Sequence, residues 1–430
     1  MPNAIISWFR RRRVARSNRK QRAPSASSRL LREAPPAPPP PKLPSRRRAQ
    51  LSPTPSHESL ISSAAAAAAK SPFFTKLPAE IRRKILIEAF GGRTVHMDLV
   101  YDHPLLPRRD QPEKSPRSLA EWPHGNLNVD LSSGGCDVGY LRLDDSRPKE
   151  WAWRSSVCHR NPPFRCRPGE ELQPAEDYCR FGQTKRRRMC LSWPGDFPSK
   201  CLIGAMGWLC SCRQAYVEGI DVLYSTNTIH TASKEMMLSL GSILLPQRLS
   251  SITSVELLWE FAPFPSIHPE VVKPPLSDMA SFRSFLDAIP TTFPAARKIH
   301  ISLLGRLYPT KTIDGSTSWD NNIDSADEIL HPVDSLVLEL GPHVRDFSLG
   351  IPSSLYKHQR NRALENNDPV EQAHRWQHER HWRPLKGSDE RAGYWVWLGK
   401  KDFVRQIICT FAEGGYHHGI DHEDWVLYEY

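Results

Sequence analysis

The chain has 430 residues, of which 39% are hydrophobic and 39 are proline, so part of its length is predicted to lie outside any packed core. Its net charge of +11 belongs to one end, because residues 1–70 carry 15 Lys and Arg against 2 Glu, whereas the remainder carries 43 against 45 Asp and Glu. Because this remainder is nearly neutral, its net charge gives no support to nucleic-acid binding by the folded part. The longest uncharged apolar run, Cys201 to Cys210, is too short to span a bilayer.

Residues 1–70 are predicted to be a disordered basic tail rich in proline and alanine. Arginines cluster at 10–13 and 46–48, and such a segment buries too little apolar surface to offset the loss of chain entropy. The clusters are typical of a nuclear localisation signal or a phosphate-binding arm, and a solvated linker is the alternative. With no secretory signal and no paired cysteine spacing, we expect an intracellular protein in the nucleus or cytoplasm.

The first ordered segment is predicted to be a helix followed by a strand. The motif Leu77-Pro78-Ala79-Glu80-Ile81 has proline in the first turn, and an acidic side chain there complements the helix dipole. Leu77, Ile81 and Ile85 share one helix face, with Leu86 and Phe90 beside it. Residues 94–101 then alternate apolar and polar side chains, which predicts a strand.

Residues 103–200 are predicted to be a long, irregular insertion within a module spanning residues 71–231. Four cysteines and a histidine lie in its second half with spacings that match no known metal site, so scattered thiols are favoured over a zinc site; they are Cys158, His159, Cys166, Cys179 and Cys190. A basic cluster at Lys185-Arg186-Arg187-Arg188 is preceded by acidic residues, which favours a charge-balanced loop.

A second motif follows the insertion. Six residues spaced three or four apart predict a single amphipathic helix over residues 205–223: Ala205, Leu209, Cys212, Tyr216, Ile220 and Leu223. Residues 226–231 are predicted to form a short strand that pairs with residues 94–101. Glu80, Arg82, Arg213 and Glu218 are expected to pair or to cap within the resulting core, and Cys212 and Tyr216 are expected to be buried in it.

The C-terminal region, residues 232–430, shows three helix–proline–basic–strand units at a period of roughly 46 residues. The predicted helices are 236–245, 282–289 and 333–340, and the predicted strands are 252–259, 299–304 and 347–351. This pattern predicts an α/β repeat with parallel strands. Helices near 371–382 and 402–413 are expected to cap it, so the whole chain is predicted to have a mixed α+β fold.

A search for catalytic patterns finds none of the phosphate-binding or nucleophile-elbow motifs. His374, His378 and His381 share a face of the predicted 371–382 helix, but the glutamate that a zinc protease needs as general base is missing. Solvent-facing histidines are the favoured interpretation. We therefore predict no enzyme activity, no cofactor and no metal, with a metal-dependent enzyme as an alternative.

The opening motif and the segment Cys212-Arg213-Gln214-Ala215-Tyr216 resemble the two signature helices of an F-box. Together with Leu223-Tyr224-Ser225-Thr226-Asn227-Thr228, they are similar to an uncharacterised family of filamentous-fungal F-box-like domains. The resemblance covers about 25 residues at each motif. It implies F-box-like helices with a short strand pair, followed by the α/β repeat.

The resemblance implies a non-enzymatic protein-interaction module, with a helix face that binds the adaptor subunit of a ubiquitin ligase and a C-terminal repeat that recruits substrates. The motif residues carried over are Leu77, Pro78, Glu80, Ile81, Ile85, Cys212, Arg213, Tyr216 and Glu218. Two roles remain open for the Leu77–Ile85 face, which either binds the adaptor or packs into the core. The alternative function is a nuclear protein that binds nucleic acid through its basic tail.

Overall fold

The computed structural model describes residues 37–43, 71–104, 144, 146–161, 172–177, 193–195, 199–261, 276–305, 307, 323–371, 379–385 and 392–400. All the described helices and strands belong to one unit of the chain, Pro40–Tyr430. The helices are α1 (Pro72–Lys76), α2 (Ala79–Phe90), α3 (Met206–Leu209), α4 (Arg213–Ser225), α5 (Lys234–Ile243), α6 (Pro246–Leu249), α7 (Leu276–Thr292), α8 (Ile323–Leu340) and α9 (Ser353–Glu365). The strands are β1 (Thr94–Asp102), β2 (Glu150–Val157), β3 (Thr228–Thr231), β4 (Ser254–Glu260), β5 (Lys298–Leu304), β6 (Asp346–Ile351), β7 (Val370–Glu371), β8 (Arg380–Pro384) and β9 (Gly393–Leu398).

One mixed sheet of nine strands joins the described part of the chain, in the order β2-β1-β3-β4-β5-β6-β9-β8-β7. The central strands β1, β3, β4, β5, β6 and β9 run parallel to one another. Antiparallel strands complete both edges, with β2 on β1 at one edge and β8 and β7 at the other. The fold is therefore mixed, as predicted, and strands from both predicted regions, 71–231 and 232–430, share this sheet.

The three predicted helix–strand units are confirmed in their order, but two of the helices are longer than predicted. Helix α7 continues through Pro290 to Thr292, and α8 begins at Ile323, ten residues before the predicted start. Helices α5, α7 and α8 each precede a strand, and those strands, β4, β5 and β6, are adjacent and parallel. The predicted pairing of residues 226–231 with residues 94–101 is also confirmed, because Thr228 and His230 of β3 lie beside Thr94 and His96 of β1. Helix periodicity and alternation were enough to locate these elements.

Helices α5, α7, α8 and α9 pack on one face of the sheet and form the main apolar core with it. Trp259 of β4 stacks on Phe285 of α7 with ring centroids 5.1 Å apart, and Phe282 packs beside it. Both Trp259 and Phe282 are fully buried, together with most of the apolar side chains that β4, β5 and β6 direct to this face. Aromatic packing of this kind supplies a large part of a fold's stability.

The opposite face of the same sheet is covered by the segment that was predicted to be an irregular insertion. The short 3₁₀ helix Pro174–Glu176 lies against β4 and β5, where Ala175 packs with Leu258 and Leu304. Within that insertion, residues 150–157 form β2, which the sequence analysis missed. None of the helices in the described ranges is long and apolar enough to cross a membrane.

Two predicted helices are corrected. Residues 205–223 form two helices, α3 and α4, because Cys212 between them adopts an extended backbone and caps the second one. Residues 380–382 of the predicted 371–382 helix lie in β8, which pairs with β9 and extends the sheet. Residues 374 and 378, and the predicted helix at 402–413, lie outside the described residues, as does the predicted tail apart from residues 37–43.

Candidate functional site

The two motifs meet as α2 and α4, and an ion pair joins them. Arg82 Nε and Nη2 donate to the two carboxylate oxygens of Glu218 at 2.9 and 2.7 Å, and Nη1 donates to the carbonyl oxygen of Leu77 at 2.6 Å. The hydrogen bonds from Arg82 lower the pKa of Glu218. Of the four polar residues expected to pair or cap in the core, Arg82 and Glu218 pair with each other, whereas Glu80 and Arg213 are exposed. The paired fork fixes both helices in one orientation.

Asn227 in the second motif makes a further connection. Its side chain is completely buried; Oδ1 accepts from the backbone N–H of Arg93 at 2.8 Å, and Nδ2 donates to the carbonyl oxygens of Phe90 and Leu223. Those carbonyls belong to the last turns of α2 and α4, where the helices leave acceptors without intrahelical partners. The side-chain amide of this one asparagine therefore caps the C-terminal ends of both motif helices.

The sequence predicts one apolar face on α2, but in the structure part of that face is buried in the core and part is exposed. Leu86 and Phe90 are 3% exposed and pack with α3 and α4, whereas Ile81 and Ile85 are 40% and 42% exposed. Leu77 is half-buried. Pro78 and Glu80 are exposed. The core therefore takes one stripe of the helix, and an apolar pair remains at the surface beside it.

The second motif differs from its predicted role in two places. Cys212 is half-buried instead of being core, and its Sγ accepts from the N–H of Ala215 at 3.4 Å at the start of α4. Tyr216 is 41% exposed, and its ring lies under the guanidinium of Arg248 at 5.6 Å. The expectation that Tyr216 is buried is wrong, because Ala215, Gly219 and Val222 face the core instead. Arg213 is exposed.

A second concentration of polar side chains lies under the insertion, on the sheet face opposite the main core. The strand register places Ser156, His96, His230, Glu256, His300 and Ser348 side by side on β2, β1, β3, β4, β5 and β6. All six are buried. They form one continuous polar row across six strands.

The insertion places three more polar side chains over this row, namely Cys158, Arg160 and Asp177, and all three are buried. Arg160 makes a two-pronged contact with Glu256 at 2.8 and 3.1 Å and also donates to Asp177 Oδ2 at 3.2 Å. Cys158 Sγ donates to the same Asp177 oxygen at 2.9 Å. His230 Nδ1 lies 2.9 Å from Glu256 Oε2.

The charges in this cluster depend on one another. Burial acts to raise the pKa of Glu256, but the charge of Arg160 and the hydrogen bond from His230 outweigh it and hold that pKa well below the ordinary value. Burial alone dominates at His300, where it lowers the pKa to about 3. Neutral His300 bonds to Ser348 at Nδ1 and to Ser302 at Nε2, each at 2.8 Å.

Three of the side chains are grouped so that they could hold a metal ion. One ligand atom from each of His96, Asp177 and His230 lies within 4.8 Å of the other two, and all three residues are buried. The His96 Nε2 to Asp177 Oδ2 distance is 3.4 Å. Two histidines and a carboxylate are ligands that zinc and other divalent transition metals accept.

The metal candidates considered from sequence are only partly brought together. Cys158 reaches the cluster, but the neighbouring His159 points away and contacts the carbonyl oxygen of Lys200 at 3.1 Å and the ring of Trp193. His381 lies on β8, and its burial lowers its pKa to about 4. The remaining candidates and the 185–188 basic cluster lie outside the described residues: Cys166, Cys179, Cys190, His374 and His378.

Sequence reasoning missed His96, His230 and Glu256. Each is a polar residue within a strand, and the polar side of a strand is ordinarily expected to face solvent. A parallel sheet, however, is usually covered on both faces. That rule, applied to the predicted parallel strands, is the one indication in the sequence that these polar residues would be buried.

Comparison with protein-family models matches residues 162–361 to a domain of unknown function, DUF7730. The matched segment contains the second motif and the strands β3 to β6, and it begins after the first motif, β1 and β2. Comparisons with curated proteins and with solved structures give no significant match. Over a little less than half of its length, the chain is therefore similar to a domain family whose function is not assigned.

Proposed function

We propose that this protein is a non-enzymatic interaction module that binds a partner protein through the outer face of α2. The observation that carries the proposal is the exposure of Ile81 and Ile85, at 40% and 42%, on a helix whose neighbouring stripe is already buried in the core. Two large apolar side chains side by side on the exposed part of a helix form a patch, and exposed apolar patches mark interaction surfaces.

The surroundings of the pair suit a binding surface. Glu80, Arg83, Lys84 and Glu88 are exposed on the same helix, so the apolar pair is bordered by charges of both signs. Protein interfaces commonly have this organisation, with a desolvated apolar centre and a polar rim. The spacing of four residues places both isoleucines on the same side of the helix, which is how a helix anchors in a partner's groove.

The surface is also held rigidly. Arg82 ties α2 to α4 through Glu218, and Asn227 fixes the carbonyl end of α2. A surface that is already in its binding geometry loses less conformational entropy on association, which favours affinity.

The partner that we propose is the adaptor subunit of a ubiquitin ligase, because the α2 motif resembles the opening of an F-box. In that arrangement the α/β units of β4 to β6 would form the part of the protein that recruits a substrate. The motif resemblance and the exposure of Ile81 and Ile85 are the two supports for this assignment.

The test is affinity purification of the full chain mixed with purified adaptor subunit. The wild type is expected to retain adaptor in a one-to-one complex, and the double variant Ile81→Glu/Ile85→Glu is expected to lose it. A matched control carries Leu338→Glu, since Leu338 is 50% exposed and belongs to α8, which contains neither motif. Adaptor binding that is absent from the wild type, or equal in the double variant and the control, would refute the proposal.

A further inference from the structure

We propose that His96, His230 and Asp177 bind a divalent transition-metal ion, with zinc as the best-suited ion. This site lies on the sheet face beneath the insertion, so it is separate from the proposed binding surface on α2. The ion would connect β1 and β3 to the insertion, because His96 and His230 belong to the two strands and Asp177 follows the 3₁₀ helix Pro174–Glu176.

One of the three ligand–ligand distances already fits a tetrahedral ion. Zinc lies about 2.0–2.2 Å from nitrogen and oxygen ligands, so two ligand atoms at a tetrahedral angle are roughly 3.3–3.5 Å apart. The His96 Nε2 to Asp177 Oδ2 distance is 3.4 Å, which is longer than an ordinary N–H···O hydrogen bond. The ligand atom of His230 is within 4.8 Å of both. A small adjustment of side chains would bring all three onto one ion.

His96 provides a second, independent indication. It is 2% exposed, and neither of its ring nitrogens makes a hydrogen bond to any residue that the structure describes. A buried polar group left in this state costs free energy. A metal ion bound at Nε2 would remove that cost, because the nitrogen lone pair would be used in a coordinate bond.

The groups around the three ligands suit this role. His230 Nδ1 lies 2.9 Å from Glu256 Oε2, so an ion bound at Nε2 would leave the contact that orients the ring in place. Metal-binding histidines are commonly held by a carboxylate in this way. Arg160 in turn contacts both Glu256 and Asp177, which fixes the positions of the two carboxylates.

The consequence for the fold is a metal-dependent attachment of the insertion. The described contacts of the insertion on this face include a small apolar cluster of Ala175, Leu258 and Leu304. A bound ion can replace a larger core in such a segment, because the free energy of metal binding becomes folding free energy.

The experiment uses the full chain, purified with a tag that contains no histidine, and measures metal content by mass spectrometry. About one zinc ion per chain is expected, as a site with three or four protein ligands holds. Removal of zinc by a chelator should lower the melting temperature, and added zinc should restore it. Zinc should be lost from His96→Gln and Asp177→Asn.

The matched control is His300→Asn, because His300 is a buried histidine of the same polar row that bonds to Ser302 and Ser348 instead. It should keep its zinc. Zinc retained at the wild-type level by His96→Gln and Asp177→Asn would overturn the proposal, since the ion would then lie elsewhere. A wild type that holds no metal and gains no thermal stability from added zinc would also overturn it.

Substitution with cobalt decides the case if the two variants fail to fold. Cobalt bound to the wild type in a site with this ligand set should give the intense visible bands of a tetrahedral complex. A spectrum identical to that of aqueous cobalt would contradict the proposal.

Discussion

On α2, two isoleucines lie at the surface, whereas under the insertion three histidines, an arginine and two carboxylates are buried. Both regions depart from the usual distribution of apolar and polar residues, in opposite directions. At α2 the departure leaves apolar area available to a partner. Under the insertion it creates charges that must be satisfied within the protein.

The difference shows how the two regions are stabilised. The α2 region has its own small core, in which Leu86 and Phe90 pack with Leu209 and Val222, so its outward residues are not needed for folding. The buried cluster depends on mutual compensation of charges, because water does not reach it. Substitutions should therefore be tolerated on the outside of α2 and be costly in the cluster.

The largest effect is expected at Arg160. Replacement by Met would leave Glu256 and Asp177 buried without their guanidinium partner, at a cost of about 3–5 kcal/mol in the free energy of unfolding. Urea denaturation measures this. The control is Lys298→Met, which removes a 3.4 Å contact with Asp346 between side chains that are 56% and 54% exposed, and which should cost less than about 1 kcal/mol. If both variants lost equally little free energy of unfolding, the cluster would not be shielded from water.

The second prediction compares two residues of α2. Phe90→Ala should reduce the free energy of unfolding by about 3–5 kcal/mol, since Phe90 is 3% exposed and its truncation leaves a cavity. Ile81→Ala should change it by less than about 0.5 kcal/mol, as surface substitutions usually do. Both are read from chemical denaturation. A large loss for Ile81→Ala would mean that its exposed position is not the one occupied in solution.

The third prediction concerns acid stability. Burial lowers the pKa of His300 to about 3, whereas an unfolded histidine titrates near 6.5. The contribution of neutral His300 to stability is therefore complete above about pH 6.5 and is lost as the pH falls towards 3, at roughly 1.4 kcal/mol per pH unit.

His300→Asn should reduce the slope of stability against pH between pH 6 and 4 by about one proton. Denaturation curves at several pH values measure the difference between variant and wild type, in which shared contributions cancel. The control is His343→Asn, because His343 is exposed and should leave the slope unchanged. Identical slopes for wild type and His300→Asn would contradict the assignment of a buried, neutral imidazole.

The smallest effect is expected at Tyr216. Its ring lies 5.6 Å from the guanidinium of Arg248 and is 41% exposed, so Tyr216→Ala should cost about 0.5–1 kcal/mol. Thermal denaturation with Tyr216→Phe as control would separate the ring contact from the hydroxyl, which accepts from Arg248 at 3.2 Å. A loss of several kcal/mol in the free energy of unfolding would show that Tyr216 is buried, as the sequence predicted.

Much of the fold could be predicted because its patterns are local. The α5–β4, α7–β5 and α8–β6 units follow from helix periodicity followed by an apolar strand, and the β1–β3 pairing follows from the position of the two motifs. Strand β2 was missed because its tryptophans stand among charged residues and Trp153 is 49% exposed. Strand β8 was missed because pairing with β9 overrides the helical pattern of residues 371–382.

The candidate sites could be predicted less well, because burial is set by what packs on a strand and not by the strand itself. The alternation in β1 correctly separates His96 and Asp98 from the apolar face. It does not reveal that the insertion returns to cover His96. The contact of Arg160 with Glu256 joins residues that are 96 positions apart, and nothing in the local sequence indicates it.

A calorimetric titration of the full chain with purified adaptor subunit measures directly whether α2 binds this partner. The wild type should bind with a negative heat-capacity change, because apolar area at Ile81 and Ile85 is buried. Ile81→Glu/Ile85→Glu should weaken binding by more than about 30-fold while unfolding at the same temperature as the wild type. Absence of heat with the wild type, or equal affinity for both proteins, would contradict the claim that α2 presents these side chains to that partner.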